Sequence, residues 1–409
     1  MPIHSRRVFA VLIAHRIALD PTDKQRTYFA RASGAARFAW NWALAEWQRQ
    51  YVARKDDRSL PQPSDVALRR HLNSLKRTQF PWLFDVTKCA PQEAIIDLGA
   101  AFRSFFAKRG RYPRFKKKGD RDSFCAANEA GTFRVDGRRI KLPVVGWLRM
   151  REEVRFTGLL KRVTISREAD RWFASIMIET ADIRPVEQRH DVVGIDLGVT
   201  TLATLSDGMA IPSPKAHTVL LSRLRRTSRS LSRKQKGSAN RRKAKLKLAR
   251  LHSRIAHIRR DATHKATTML AKTYRRIGLE DLNVRGMARN RHLARAIMDG
   301  GFSEFRRQLE YKARFYGATV VVADRWYPSS KTCSCCGSVK AELALSQRIY
   351  QRDACGQEID RDLNAARNLE RLAASSAVSA CGEERSGAGR KPRVKRASTK
   401  QEPNSRLAA

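Results

Sequence analysis

Residues 192–211 read VVGIDLGVTTLATLSDGMAI. An apolar run, Val192 to Ile195, ends on Asp196, and Gly198 and Thr200 follow. Leu202 to Leu205 and Met209 to Ile211 form two more short runs, turned at Asp207-Gly208. Short apolar runs bounded by Gly, Asp and Thr predict three successive strands, and Asp-Gly is a strong hairpin signal. Working outward, Arg276 to Leu279 is a further strand, and it too ends on an acid, Glu280. A helix over Phe302 to Tyr316, stopped by Gly317, leads to a strand over Ala318 to Ala323. Asp362 opens a helix in DRDLNAARNL that runs to Ala373. Strands alternating with helices make residues 191–373 an α/β unit.

Acids are scarce against bases here, so three carboxylates at two strand ends and one helix start stand out. Converging, Asp196, Glu280 and Asp362 would hold two divalent cations about 4 Å apart, the arrangement that activates water and stabilises the leaving oxygen of a phosphodiester. Mg²⁺ suits such a site because it is hard, takes oxygen ligands and binds through few carboxylates. Taken singly, each acid also reads as a turn cap or as the partner of a nearby Arg.

The charge names a partner. In 409 residues, 83 Lys and Arg oppose 39 Asp and Glu, a net +44, which calls for a polyanion: nucleic acid first, a membrane surface second. The run VFAVLIA at Val8 to Ala14 is too short to span a bilayer and lacks a cleavage site, so it reads as an N-terminal strand and no membrane role is expected. Hydrophobic residues at 42% allow each of two or three domains its own core. From Arg223 to Arg260 there are 16 Lys or Arg and no acid, with Leu248, Leu251, Ile255, Ile258 and Ala262 at helical spacing. Gly237-Ser238 turns this stretch into a helical hairpin over 218–262, carrying Arg241, Arg242 and Lys243 as candidate nucleic-acid contacts. A second basic stretch, KRGRYPRFKKK at Lys108 to Lys118, interleaves Tyr112 and Phe115 with Arg111, Arg114, Lys116, Lys117 and Lys118, suiting phosphate contact with stacking.

Before these lies an N-terminal half. Thr22 to Gln25 is a capping box opening a helix that Gly34 should break, with a second helix from Ala35 to about Tyr51 and a loop over 52–65. Helical patterning resumes to about Ala107. Residues 132–179 change to period two, with turns at Asp136-Gly137 and Ala169-Asp170, and read as a small barrel. The polar stretch Ala181 to His190 marks a boundary. Four of seven cysteines cluster at Cys333, Cys335, Cys336 and Cys355. Cys333-x-x-Cys336 is half of a tetrahedral zinc site, which suits a reduced compartment. Cys355 begins the other half, but Arg352 stands where its partner belongs, and a guanidinium cannot ligate zinc. Cys335 and Asp353 remain as substitutes for the fourth ligand. The tail from 374 to 409 has no apolar period and is expected to be disordered.

GIDLGVTTLATLSDG, then IGLEDLNVRGM, then DRDLNAARNL, in this order, resemble the split RuvC nuclease domain of the transposon-encoded TnpB (OrfB) family, relatives of type V CRISPR nucleases. DPTDKQRTYFARASGAARFAWNWAL is similar to that family's N-terminal helical motif, RYPRFKKKGDRDSF to its central basic motif and YPSSKTCSCCG to the start of its zinc ribbon. The resemblance covers roughly residues 8 to 370. It implies an α/β RNase H-like (RuvC) nuclease domain, an N-terminal helical plus β-barrel recognition lobe and a zinc-ribbon-like insertion. The lobe would span 1–185 (helical, helix-turn-helix-like bundle 20–107; β module 120–180), the nuclease domain 191–330 and 359–373, and the insertion 331–358. It further implies an RNA-guided DNA endonuclease that binds a guide RNA and a double-stranded DNA target. Asp196, Glu280 and Asp362 become its metal-binding catalytic acids, Asp362 rather than Asp360 because the family's acid sits two residues before the Asn, here Asn364. Such a protein works in the prokaryotic cytoplasm, nucleoid-associated on DNA, and self-association stays open. The alternatives are a transposon accessory protein that binds DNA or RNA without cutting, a strand-joining transposase and a basic structural RNA-binding protein.

Overall fold

A computed structural model describes residues 10–344 and 346–382. Two large hydrophobic cores organise the described residues, and a small third cluster gathers Ala216, Leu251 and Ile255. The first is built from β1 (Val11–Ala18), three helices α1 (Asp23–Asp56), α2 (Asp65–Leu75) and α3 (Cys89–Phe106), and the strands β2 (Ser123–Ala127), β3 (Arg134–Asp136), β4 (Arg139–Leu142), β5 (Gly146–Arg149), β6 (Leu159–Glu168) and β7 (Arg171–Thr180). Phe29 of α1 joins helices to sheet, its ring 5.2 Å from Trp172 and 5.9 Å from Phe124.

Thr22 caps α1 through the full capping box with Gln25, but Gly34 does not interrupt the helix. One mid-helix glycine costs about 1 kcal/mol against alanine. Burial of Phe29, Ala32, Ala35, Ala36 and Ala39 on either side exceeds that, so the helix runs on to Asp56 and shortens the expected loop. The β strands also depart from a closed barrel. They form a four-stranded antiparallel sheet, β1-β7-β6-β2, and a three-stranded sheet, β3-β4-β5. The sheets meet where Leu19 bridges Met150. Among the described residues β2 and β3 do not pair, so the strip stays open.

The second core belongs to a five-stranded sheet of order β10-β9-β8-β11-β12. Its strands are β8 (His190–Asp196), β9 (Thr201–Leu205), β10 (Ala210–Pro212), β11 (Tyr274–Leu279) and β12 (Thr319–Val322). β8, β9 and β10 form an antiparallel meander, whereas β11 runs parallel to both β8 and β12. Between β10 and β11 come α4 (Ala216–Val219), α5 (Leu221–Ser232) and α6 (Ala239–Thr273), and between β11 and β12 come α7 (Val284–Met287), α8 (Ala294–Gly300) and α9 (Phe302–Tyr316). A small hairpin, β13 (Ile349–Arg352) with β14 (Gln357–Asp360), leads into α10 (Arg361–Gly382). Helix α10 continues beyond Ala373 into the segment expected to be disordered; residues 383–409 of that tail lie outside the described residues.

Two glycines bring α10 onto the sheet. A Cβ on Gly194 of β8 would stand 1.9 Å from the Ala366 carbonyl oxygen and 2.3 Å from the Glu370 nitrogen, and one on Gly278 of β11 would stand 2.2 Å from the Leu369 carbonyl oxygen. Only glycine permits so close a backbone approach. Helix α10 therefore lies directly over the strand that ends at Asp196 and the strand that Glu280 follows, with Asp362 in its first turn.

Candidate active site

Asp196 ends β8, and Glu280 follows the last residue of β11. All three acids are half-buried. Burial, then the neighbouring carboxylates of Glu280, Asp362 and Asp360, push Asp196 well above the usual carboxylate range, against the pull of Arg361. Glu280 is raised by burial, although a hydrogen bond from Ser329 and the charge of Arg361 oppose it. Asp362 is raised by burial and then by Asp360, with Arg348 and Arg361 opposing. Like charges gathered in partly desolvated surroundings are costly unless a cation joins them. The donor set, all carboxylate oxygens, fits a hard divalent ion.

Asp360 and Asp362 have different tasks. One oxygen of Asp360 accepts the backbone N–H groups of Asp362 at 2.9 Å and Leu363 at 3.0 Å, so Asp360 caps α10 and is itself exposed. Asp362 is the member whose charge is felt at Asp196 more strongly than that of Asp360.

The loop after β12 completes the surroundings; the sequence reading marked it as the start of a zinc ribbon but gave no role to Ser329, Arg325 or Asn368. The buried Ser329 hydroxyl donates to the Glu280 carboxylate. Asp281 is clamped by Arg306 at 2.5 Å and Arg325 at 2.6 Å, fixing the backbone next to Glu280. Asn368 of α10 donates to the carbonyls of Ser329 at 2.8 Å and Thr332 at 2.7 Å. Asn364 donates to Thr332 and accepts from the Ser334 N–H. The Ser329 and Asn368 contacts cross more than 35 residues of chain, so the YPSSKTCSCCG motif marked the loop without marking them.

That same loop carries the cysteines. The sulfurs of Cys333, Cys336 and Cys355 all lie within 4.8 Å of one another, with Cys333 and Cys355 at 3.6 Å. Tetrahedral zinc with bonds near 2.3 Å sets sulfurs about 3.8 Å apart, so these three fit three corners. Cys335 is exposed and outside the group. Arg352 brings no ligand, and its Nε is buried without a hydrogen-bond partner.

The basic candidates divide. Arg241 donates to the carbonyls of Leu231 at 3.0 Å and Lys234 at 2.7 Å, and Arg242 to that of Gly237 at 3.1 Å, so both brace the turn between α5 and α6. Lys243 is exposed and makes no such bond. In the other patch, the Lys116 ammonium lies 3.7 Å from the Trp40 ring centroid, and the backbone of Arg114 and Lys116 is held by Trp40 and Asn41. Tyr112 packs edge-on against Phe102 and Phe105. Arg111, Arg114, Phe115, Lys117 and Lys118 are exposed. Among the described residues no helix is long and apolar enough to cross a membrane.

Residues 175–291 match the family described as "Probable transposase" (OrfB), residues 302–369 a "Cas12f1-like, TNB domain" and residues 11–56 a "Helix-turn-helix domain". Within the last span the structure has β1 and one uninterrupted helix. A protein of Streptomyces pristinaespiralis, "Putative RNA-guided DNA endonuclease", is 40% identical over 95% of this chain and 96% of its own length. InsQ of Escherichia coli (strain K12), with the same description, is 36% identical over 91% and 94%. Among solved structures, the Cas12f1–sgRNA–target DNA complex, determined by cryo-EM, superposes with a TM-score of 0.55 at 14% identity, over 85% of this chain and 83% of that one. That likeness shows a compact type V-like nuclease fold. Identity at this level along nearly the whole length of both proteins makes the chain a member of the TnpB (OrfB) family.

Proposed function

We propose that this protein is an RNA-guided DNA endonuclease with one RuvC-like site, acting in the cytoplasm on double-stranded DNA chosen by a bound guide RNA. The observation that supports the reading is that the charges of Glu280 and Asp362 bear on Asp196, from a neighbouring parallel strand and the helix packed across both, amid a net charge of +44. Relatives named for the same activity across most of their length support it.

Asp196, Glu280 and Asp362 would hold two Mg²⁺ ions. Bound there, the ions supply Lewis-acid activation of water and charge stabilisation on the phosphodiester. Ser329 holds the Glu280 carboxylate in one orientation, and the Asp281 clamp keeps its backbone from drifting. Asp360 fixes the first turn of α10 and with it the position of Asp362. The exposed bases Arg111, Arg114, Lys117, Lys118 and Lys243 would grip sugar–phosphate backbones, leaving sequence choice to base pairing. The first core would serve as the recognition lobe. The segment 331–358 would be a zinc-ribbon-like insertion holding Zn²⁺ by Cys333, Cys336 and Cys355.

The test is to sequence RNA that copurifies with the protein and to assay cleavage of a matching duplex in Mg²⁺. Asp196→Ala, Glu280→Ala and Asp362→Ala should each lower cleavage by about 10³-fold or more, with RNA still bound. Asp360→Ala should cost only about the 1 kcal/mol of a helix cap. Equal cutting by wild type and Asp196→Ala would overturn the assignment. Joined strands in place of free ends would point to a transposase.

A further inference from the structure

Trp326 is the most exposed large hydrophobic side chain among the described residues, at 85%. An indole in water forgoes one of the largest burial gains any side chain offers. Local mobility does not account for it, because the loop that carries it is fixed at both ends and in between. The Ala323 N–H donates to the Leu279 carbonyl at 2.8 Å, one residue before Glu280. Arg325 is paired with Asp281, the Trp326 N–H is bonded to the Asp324 carboxylate at 2.9 Å, and the Tyr327 hydroxyl reaches the Asn368 carbonyl at 3.3 Å. Three residues after Trp326, Ser329 is bonded to Glu280. Three residues of chain reach no farther than about 11 Å, so the backbone that presents the indole is tied within that distance of the residue that touches Glu280.

We propose that Trp326 is a stacking platform for a base of the single DNA strand entering the carboxylate site, holding that strand in register for cleavage. The proposal rests on the nuclease reading above. A flat, rigidly presented aromatic face takes any base, because every base has a π-face. Arg325 beside it is paired with Asp281, so the charge argument comes from the chain as a whole, whose net +44 favours a polyanionic strand over a neutral or basic protein partner. A guide RNA base is the competing occupant and becomes an outcome of the test.

Two measurements on the full protein with its copurified RNA decide the matter. In the Asp196→Ala background, which cannot cut, binding of a fluorescein-labelled single-stranded 20-mer of DNA should weaken about tenfold on Trp326→Ala and recover with Trp326→Phe, a change of the size one base stack supplies. In the cleavage-competent protein, single-turnover cutting of duplexes carrying one abasic site, moved along the strand, should slow at one position for wild type. At that position Trp326→Ala should show no further loss, because base and indole have already been parted. Unchanged 20-mer affinity, or an abasic effect identical in both proteins, would overturn the proposal. So would loss of copurified RNA in Trp326→Ala, which would assign the indole to the guide. If wild type does not cut at all, the nuclease reading fails, while the 20-mer measurement still decides the role of Trp326.

Discussion

Replacing Gly194 with alanine tests how the fold assembles the site. The new Cβ would lie 1.9 Å from the Ala366 carbonyl oxygen and 2.3 Å from the Glu370 nitrogen. An ordinary carbon–oxygen contact needs about 3.3 Å, so α10 must retreat by about 1.4 Å. Both obstacles are backbone atoms of one helix, and no side-chain rotation relieves them. Overpacking of this kind costs about 1–3 kcal/mol, and the upper end is expected here. Asp362 lies one turn before Ala366 on the same helix, so it retreats with it, away from Asp196 and Glu280. A displacement near 1 Å at a reacting centre is worth about 10²-fold in rate. Gly194→Ala should therefore melt earlier, cut about 100-fold more slowly, and need more Mg²⁺ for half-maximal rate. Cleavage across a Mg²⁺ titration and thermal unfolding of the RNA complex measure all three. A variant that unfolds earlier yet cuts at the wild-type rate and Mg²⁺ demand would refute the claim that the glycine sets the carboxylate spacing. A variant unchanged in both would refute the packing argument itself.

Gly34→Ala should do the opposite, since its Cβ would meet only the Arg37 guanidinium at 3.8 Å; a gain of about 0.5–1 kcal/mol is expected in denaturant unfolding. Glu168 of β6 ties β1 to α6, bonded to Arg16 at 2.6 Å on one side and to Ser253 at 2.7 Å on the other, with His257 Nε2 3.0 Å away. Burial raises its pKa, but the Ser253 and Arg16 hydrogen bonds outweigh that and hold it at about 2. A carboxyl depressed in the folded state stabilises above its unfolded value near 4.3 and loses that contribution as pH falls toward 2. Glu168→Gln should thus be less stable than wild type at neutral pH, with the gap closing on acidification; a gap that widens in acid would contradict the pairing. Arg352→Cys should complete a four-thiolate set and slow zinc loss to a chelator, read by colorimetric metal release, while Cys333→Ser should speed it. Equal release from wild type and Arg352→Cys would place the side chain outside the site.

Local chemistry carried much of the fold. The Thr22–Gln25 box, the Asp136-Gly137 and Asp207-Gly208 turns, and the apolar runs ending in acids each follow from contacts within a few residues. Where sequence reasoning failed, a distant partner decided. Gly34 stays helical because the sheet buries the face around it, and Arg241 braces a turn because Leu231 and Lys234 present carbonyls ten and seven residues away. The N-terminal strand joins a sheet with β7, about 160 residues later, through a ladder that no local pattern specifies.

The sequence by itself determined which side chains are available to the site: three acids at element ends, three cysteines at metal spacing, and cations enough to require a polyanion. Their identity and local position are properties of short peptides, set by strand and helix propensities. Only tertiary structure decided that Asp196, Glu280 and Asp362 share one charge environment, because that depends on α10 crossing β8 and β11 at Gly194 and Gly278. It also decided that Ser329 orients Glu280 and that Trp326 faces solvent on a pinned loop. The Asp360 cap is a bond two and three residues along the chain, whereas the Ser329 and Trp326 placements come from packing between segments more than 40 residues apart, where the energy lies in close contact and desolvation and no local pattern records it.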